Sequence, residues 1–235
     1  MSTFHFQQFS VLQQYSGMKV CTDAVLFGAM APVNRGDRVL DIGTGTGLLS
    51  LMAAQLGAAQ VTGVELTEEA AKEAGFNFKH SPWAKHLDIV HQDIQSFALK
   101  VDRCYDLIIS NPPFFEQHSR ALNALRNTAR HTDQLPYAEL IGSVGALLSL
   151  QGLFYLLLPV HAVLNFAEQA LAASLYLIHQ TDIQGYAHNT AKVSALTFSR
   201  QAAESTSSLL TIYESRNVYS PDSAAFLKDF LLRFA

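Results

Sequence analysis

"RVLDIGTGTG", Arg38 to Gly47, decides the fold. A short apolar run ends at Ile42, three glycines alternate at Gly43, Gly45 and Gly47, and "LLSLMAAQLG" follows as a helix closed by a glycine. The pattern predicts a strand that turns on glycines into a helix. Glycine lets the backbone turn sharply and lets a ligand approach closer than any Cβ would permit. Open α/β sheets bind ligands just beyond the carboxyl ends of their strands, near the switch in strand order. The glycines follow GxGxG spacing, which departs from the GxGxxG fingerprint of dinucleotide-binding loops.

Outward from this loop, strands and helices alternate. "AQVTGVEL" (Ala59 to Leu66) is a second strand, and "TEEAAKEAGFNFKH" is a helix with Thr67 in the N-cap position and acids in its first turn. "HLDIVHQD" and "YDLIIS" are further strands, "PYAELIGSVGALLSL" a helix, "GLFYLLLP" a strand and "HAVLNFAEQALAAS" a helix. "LYLIHQTDI" and "KVSALTFSR" then follow with only the loop "QGYAHNTA" between them. The alternation predicts an α/β fold with a doubly wound, mostly parallel sheet, and the last pair predicts an antiparallel C-terminal edge hairpin. A seven-stranded sheet of this kind resembles the Rossmann-like class I methyltransferase architecture. The segment from Ser207 onward adds a strand and a terminal amphipathic helix, "DSAAFLKDFLLRFA". No linker divides the chain, so residues 1–235 are expected to form one domain: an N-terminal segment 1–37, a sheet core 38–200 and an extension 201–235.

Acids close the first three strands. Glu65 ends the second, where its carboxylate could accept both hydroxyls of a ribose. Asp41, just before the first glycine, can orient the loop or a ligand amino group, and Asp93 can accept from an adenine amino group. Three carboxylates at consecutive strand ends suit a cationic, ribose-bearing cofactor. A pyrophosphate would be repelled by Asp41, which favours S-adenosyl-L-methionine over NAD.

The fourth strand ends in "IISNPPFF", Ile108 to Phe115. Two prolines lack backbone donors and stop the sheet at Asn111. A turn that only reversed the chain would be polar and glycine-rich, whereas this one carries two large aromatics. Taken alone, it is either a proline terminator before core phenylalanines or a socket for a flat, amine-bearing ligand.

With the glycine loop, Glu65 and Asp93 before it, Asn111-Pro112-Pro113-Phe114 resembles the (N/D/S)PP(Y/F/W) motif of amino-methyltransferases. That resemblance implies that the Asn111 side-chain oxygen and the Pro112 carbonyl accept both hydrogens of an exocyclic amine, while Phe114 stacks on the base. Pro113 would stiffen the turn, and Phe115 would pack. A narrower resemblance rests on "FHFQQFSVLQQYSGMKVCTDAVLFGAMA", "NPPFF", "ARHT" and "YSPDSAAFLKDFLLRF". Together these look like the bacterial tRNA1(Val) adenine-37 N6-methyltransferase family. Membership implies methyl transfer to N6 of an adenine in tRNA. It also implies that "MKVCTDAVLFG" closes over the cofactor, with Lys19 and Thr22 as cofactor neighbours and Thr22 and Asp23 capping a helix. For the RNA, Arg126 and Arg130 lie four residues apart on one helical face, with Arg120 nearby.

Composition narrows the alternatives. The chain has 16 Lys+Arg against 20 Asp+Glu, a formal net charge of −4, so it lacks the profile of a protein that coats nucleic acid. A structured RNA could still dock on a local basic patch. Cys21 and Cys104 are far apart and the nine histidines are scattered, so no metal is expected and a reduced, cytoplasmic setting follows. The longest apolar run near the middle is too short to cross a bilayer, no secretory signal is visible, and no obligate protein partner is evident. The competing functions are methylation of rRNA adenine or of protein glutamine, a nicotinamide oxidoreductase on the same sheet, and an inactive RNA-binding module.

Overall fold

The computed structural model describes residues 3–14, 19–101, 104–112 and 135–235. Two short strands, β1 (Thr3–His5) and β2 (Ser10–Leu12), pair antiparallel ahead of helix α1 (Thr22–Ala29). The alternating core follows: β3 (Arg38–Ile42), α2 (Leu48–Leu56), β4 (Gln60–Glu65), α3 (Glu68–Lys79), β5 (Leu87–His91), α4 (Ile94–Lys100) and β6 (Tyr105–Ser110). Beyond it come α5 (Tyr137–Leu147), β7 (Leu148–Pro159), α6 (Val163–Ala172), β8 (Tyr176–Gln184) and β9 (Val193–Ser199). The extension supplies β10 (Thr206–Thr211), the small hairpin β11 (Tyr213–Ser215) with β12 (Val218–Tyr219), and α7 (Pro221–Leu227).

The central sheet has the order β10-β8-β9-β7-β6-β3-β4-β5, and β9 alone runs antiparallel to the rest. It holds eight strands where seven were expected. The additional strand is β10, which pairs parallel to β8 from Thr206↔His179 to Thr211↔Gln184 and so covers the outer side of the hairpin. An uncovered β8 would present a row of unpaired backbone groups, and β10 satisfies them. The terminal helix is shorter than expected. Ser220 caps it by accepting from Ser223 N, Pro221 occupies its first turn, and it ends at Leu227. The chain then turns so that Phe230 and Leu231 are buried.

Side-chain alternation divides the core between the two sheet faces. Leu107 and Ile109 of β6 pack with Val39, Val61 and Tyr155 beneath α1, α2 and α3. Ile108, Leu40, Phe154 and Leu156 pack on the other side with residues of α4, α5 and α6. Phe27 of α1 stacks on Tyr155 with centroids 4.2 Å apart and planes 5° from parallel, seating the N-terminal helix on the first face. The two ends of the described chain meet. Phe6 bridges Leu231, Gln7 N donates to Phe230 O at 2.8 Å, and the Gln7 side chain donates to the carbonyls of Lys228 and Leu231.

Among the described residues no helix is long and apolar enough to cross a membrane.

Candidate functional site

The strand order reverses between β3 and β6. β4 and β5 lie on one side of β3, and β6 and β7 on the other. The register sets what meets there. Ile42 pairs with Ser110 and with Val64, so the next residues, Gly43, Asn111 and Glu65, come level across three adjacent strands. Glu65 in turn pairs with His91, two residues before Asp93. Ser110 Oγ donates to the Ile42 carbonyl at 3.0 Å and pins β6 to β3 directly beneath this row. Asp41, Gly43, Gly45, Gly47, Glu65, Asp93, Asn111 and Pro112 therefore share the carboxyl edge at the switch point. Phe114, Arg120, Arg126 and Arg130, with Pro113, lie outside the described residues.

The loop has the left-handed backbone its glycines permit, with φ of 70° at Gly43, 56° at Gly45 and 82° at Gly47. Two positions explain why glycine is needed. A Cβ on Gly47 would lie 2.3 Å from the Phe78 ring, so α3 can pack against the loop only if this position stays bare. A Cβ on Gly45 would meet nothing within 4 Å, so that surface is open for a ligand to approach the backbone.

Glu65 does more than its strand-end position suggests. Its Oε2 accepts from Gly45 N at 2.9 Å, and its Oε1 accepts from Thr67 N at 2.9 Å and Thr67 Oγ1 at 3.0 Å. The buried carboxylate thus holds the glycine loop against the end of β4. Thr67 does occupy the N-cap of α3, but its hydroxyl donates to Glu65 and makes no cap bond. A carboxylate offers about four acceptor positions, so Glu65 retains capacity for a ribose hydroxyl.

Asp41 is fully buried. Its Oδ2 accepts from Thr44 Oγ1 at 2.6 Å and from Ser50 Oγ at 2.8 Å. Its Oδ1 has no partner among the described residues. Burial pushes this carboxyl up to about 6 against the pull of the Thr44 and Ser50 bonds, with the nearby Glu65 charge adding a smaller upward push. A buried acceptor left open in this way suits a cationic amino group. Asp93 is the N-cap of α4, where its Oδ1 accepts from Ser96 N at 2.7 Å, and this bond holds its carboxyl below the usual range. Its second oxygen remains for a ligand donor. The orphaned Asp41 oxygen, the open backbone at Gly45 and three acids in one row fit a cationic, ribose-bearing cofactor.

The N-terminal segment is arranged differently from the expectation. The N-cap of α1 is Cys21, without a side-chain cap bond, and Thr22 and Asp23 are the first two helical residues. The Thr22 hydroxyl lies 3.2 Å from the Tyr213 hydroxyl, which ties it to the C-terminal extension. Lys19 is exposed just ahead of α1. What reaches the glycine loop is Asn77 of α3, buried to 2 % exposure. It donates to Thr46 O at 2.8 Å and to Leu12 O at 2.9 Å, and it accepts from Leu12 N at 2.8 Å. Glu73, one turn earlier, accepts from Gln14 N.

The sequence reading missed Ser50, Thr67 and Asn77 as builders of the site. The available signal was a polar residue inside an apolar face, serine in "LLSLM" and asparagine in "FNF".

Residues 14–135 match the methyltransferase small domain family. The chain is 38% identical over 232 residues to the tRNA1(Val) (adenine(37)-N6)-methyltransferase of Flavobacterium psychrophilum, covering 98% of this chain and 99% of that one. To the protein of the same name from Yersinia pestis (strain Pestoides F) it is 40% identical over 233 residues, covering 98% and 94%. Among solved structures, a predicted O-methyltransferase from Agrobacterium tumefaciens superposes with a TM-score of 0.65 at 19% identity, covering 86% of this chain and 94% of that one. The last likeness is one of fold alone.

Proposed function

The chain belongs to the tRNA1(Val) (adenine(37)-N6)-methyltransferase family, and from that membership we propose that it transfers a methyl group from S-adenosyl-L-methionine to N6 of adenine 37 in tRNA1(Val). The observation that carries this reading is the row at the switch point, which brings Asn111 level with Gly43 and Glu65 on adjacent strands. A base held at Asn111 and a cofactor held at the glycine loop would then be neighbours.

The roles divide by chemistry. Glu65 takes the ribose hydroxyls, Asp93 the adenine amino group, and Asp41, with its buried open oxygen, the cationic end. The glycine backbone at Gly43, Gly45 and Gly47 lets the ligand lie close, with Lys19 and Thr22 on its N-terminal side. When bound, S-adenosyl-L-methionine supplies an electrophilic methyl group on a sulfonium centre.

The target nitrogen is a poor nucleophile because its lone pair delocalises into the purine ring. The Asn111 side-chain oxygen and the Pro112 carbonyl accept its two hydrogens and draw the lone pair out of the ring plane toward the methyl. Orientation supplies the rest, and the methylated nitrogen is acidic enough to lose its proton without a dedicated base. Phe114 stacks on the extruded base, and Arg120, Arg126 and Arg130 hold flanking phosphates. Residues 1–235 act as one catalytic unit, a reading supported by the pairing of Phe6 with Leu231, and the unit acts in the cytoplasm, where a tRNA substrate is met.

The test is methyl transfer from labelled cofactor into an unmodified tRNA1(Val) transcript, followed by nucleoside analysis. N6-methyladenosine at position 37 is the expected product. No label in any tRNA, or label in a protein glutamine instead, would overturn the reading.

A further inference from the structure

A second feature shares the carboxyl edge with Asn111. β7 runs on to Pro159, which pairs with Val193 at the start of β9, and Val193 pairs with Ile183 near the end of β8. The loop joining β8 to β9 therefore projects beyond the same edge as the glycine loop. Two strand spacings, roughly 10 Å, separate β9 from β6. Between this loop, the start of α1 and the C-terminal extension lies a cleft of about 440 Å³. Its walls include Thr22, Tyr186, Asn189, Thr190, Lys192 and Tyr213.

A series of rings in contact passes through the cleft, which Tyr186 and Tyr213 line, and continues beyond it on both sides. The His188 ring stacks on Tyr186 at 5.6 Å and 12°, and Tyr186 meets Tyr213 at 5.6 Å and 36°. Tyr213 stacks on Tyr219 at 5.0 Å and 24°, and Tyr219 meets Phe234 at 5.9 Å. Arg233 lies 4.8 Å over the Tyr219 ring and donates to Asn217 O at 2.9 Å, so its guanidinium is fixed in place. His188 is exposed at one end and Phe234 at the other, while Tyr186 is half-buried.

We propose that this aromatic ladder is a stacking platform for single-stranded RNA nucleotides flanking the target adenine. The inference rests on the methyltransferase reading above and deepens it by naming the surface that holds the substrate.

Three observations support RNA as the occupant. The ladder opens on the edge where Asn111 lies, so it continues the substrate side of the site. Its rim mixes groups that suit nucleotides: Lys192 and Arg233 for phosphate, Asn189 and Thr190 for base edges, and for a base the outer face of the exposed His188 ring, which Tyr186 backs from within the ladder. Asp23 also lies in the cleft, where the charge of Lys192 opposes its own. Finally, with 16 basic side chains against 20 acidic ones, the chain as a whole does not attract a phosphate backbone, so RNA binding beyond a local basic patch gains from groups other than cations. Stacking on aromatic rings is largely insensitive to net charge.

The experiment compares the parent with Tyr186→Leu, which removes the ring but keeps apolar bulk, and Tyr186→Trp, which keeps a ring. Each full-length variant is titrated with unmodified tRNA1(Val) transcript over a series of salt concentrations, and with S-adenosylhomocysteine as a control. Tyr186→Leu should raise the RNA Kd about 5- to 150-fold with an unchanged salt slope, and Tyr186→Trp should bind like the parent. Arg233→Ala should instead flatten the salt slope by about 0.7 per lost phosphate contact. Should Tyr186→Leu fail to fold, Tyr186→Trp against His188→Ala gives the same comparison at the exposed end. An unchanged RNA Kd for the ring-less variants of a parent that methylates tRNA overturns the ladder alone. So does an equal loss of S-adenosylhomocysteine affinity, which would place Tyr186 in the cofactor site. A parent that methylates no tRNA overturns the underlying reading instead.

Discussion

Asn77 joins the glycine loop to the N-terminal strand, donating to the Thr46 carbonyl at 2.8 Å while pairing with both backbone groups of Leu12. One buried amide thus satisfies three backbone groups drawn from two segments that make no continuous element. Because Thr46 lies between Gly45 and Gly47, any shift of the N-terminal strand is transmitted to the backbone of the glycine loop.

Asn77→Ala should leave those three backbone groups unsatisfied. The expected loss is about 2–4 kcal/mol of stability, read from denaturant unfolding. The same variant should weaken S-adenosylhomocysteine binding and raise the cofactor KM, with kcat at saturating cofactor changing less. Unaltered cofactor affinity in a folded Asn77→Ala chain would show that the bond merely anchors the N-terminus.

Glu65 predicts a graded series. In Glu65→Gln an oxygen remains to accept from Gly45 N, whereas Glu65→Ala removes the acceptors for Gly45 and Thr67 together with any ribose contact. Charge-assisted bonds contribute about 1.5–3 kcal/mol each, so Glu65→Ala should weaken cofactor binding by at least tenfold. Glu65→Gln should fall between it and the parent. Calorimetric titration with S-adenosylhomocysteine checks the order, and equal affinities across the series would remove Glu65 from the cofactor site.

The site was legible wherever the information was local. Strand-end acids, alternating glycines and a proline-stopped strand are each written in a few consecutive residues, and the parallel sheet then aligns Gly43, Glu65 and Asn111. What escaped were choices made by distant partners. Thr67 has the sequence of an N-cap, yet Glu65 takes its hydroxyl. Thr22 resembles a helix cap, yet its hydroxyl meets Tyr213 from the far end of the chain. The strand expected from Ser207 onward is present as β10, but its place as an eighth strand of the central sheet escaped for the same reason, since it is set by the open side of β8 and "TSSLLT" has little apolar alternation of its own.

Asp41 predicts a pH dependence with a definite sign. Its carboxyl is raised by burial from 3.8 to about 6, so the folded chain holds this proton more tightly than the unfolded chain does. Ionisation therefore costs stability. Asp41's contribution falls as pH rises from about 4 to about 6 and is level above that, by about 2–3 kcal/mol in all. Asp41→Asn retains an oxygen for Thr44 and Ser50 and loses the charge. The stability difference between Asp41→Asn and the parent should thus widen in favour of the variant across this window. Binding of a ligand ammonium group should move the other way, with parental affinity for S-adenosylhomocysteine, which lacks the sulfonium charge but keeps its ammonium, increasing through pH 6 and that of Asp41→Asn staying flat. Parallel pH profiles for the two chains would assign the buried carboxyl to the loop alone.

Asn111 carries the sharpest prediction, because its proposed work is confined to the transition state. A side-chain oxygen that accepts from the amine gains most when the nitrogen rehybridises and its hydrogens become more acidic. Asn111→Ala should therefore lower single-turnover methylation by ~10²–10³ at saturating tRNA and cofactor, with both affinities close to parental. Asn111→Asp keeps an acceptor at the same place and should retain part of the rate. The fold should tolerate both changes, since Asn111 is only half-buried and follows the last residue of β6. A loss of affinity in step with the rate would mean that Asn111 binds ground state and transition state alike. A parental rate in Asn111→Ala would reduce the two prolines that follow it to a strand terminator.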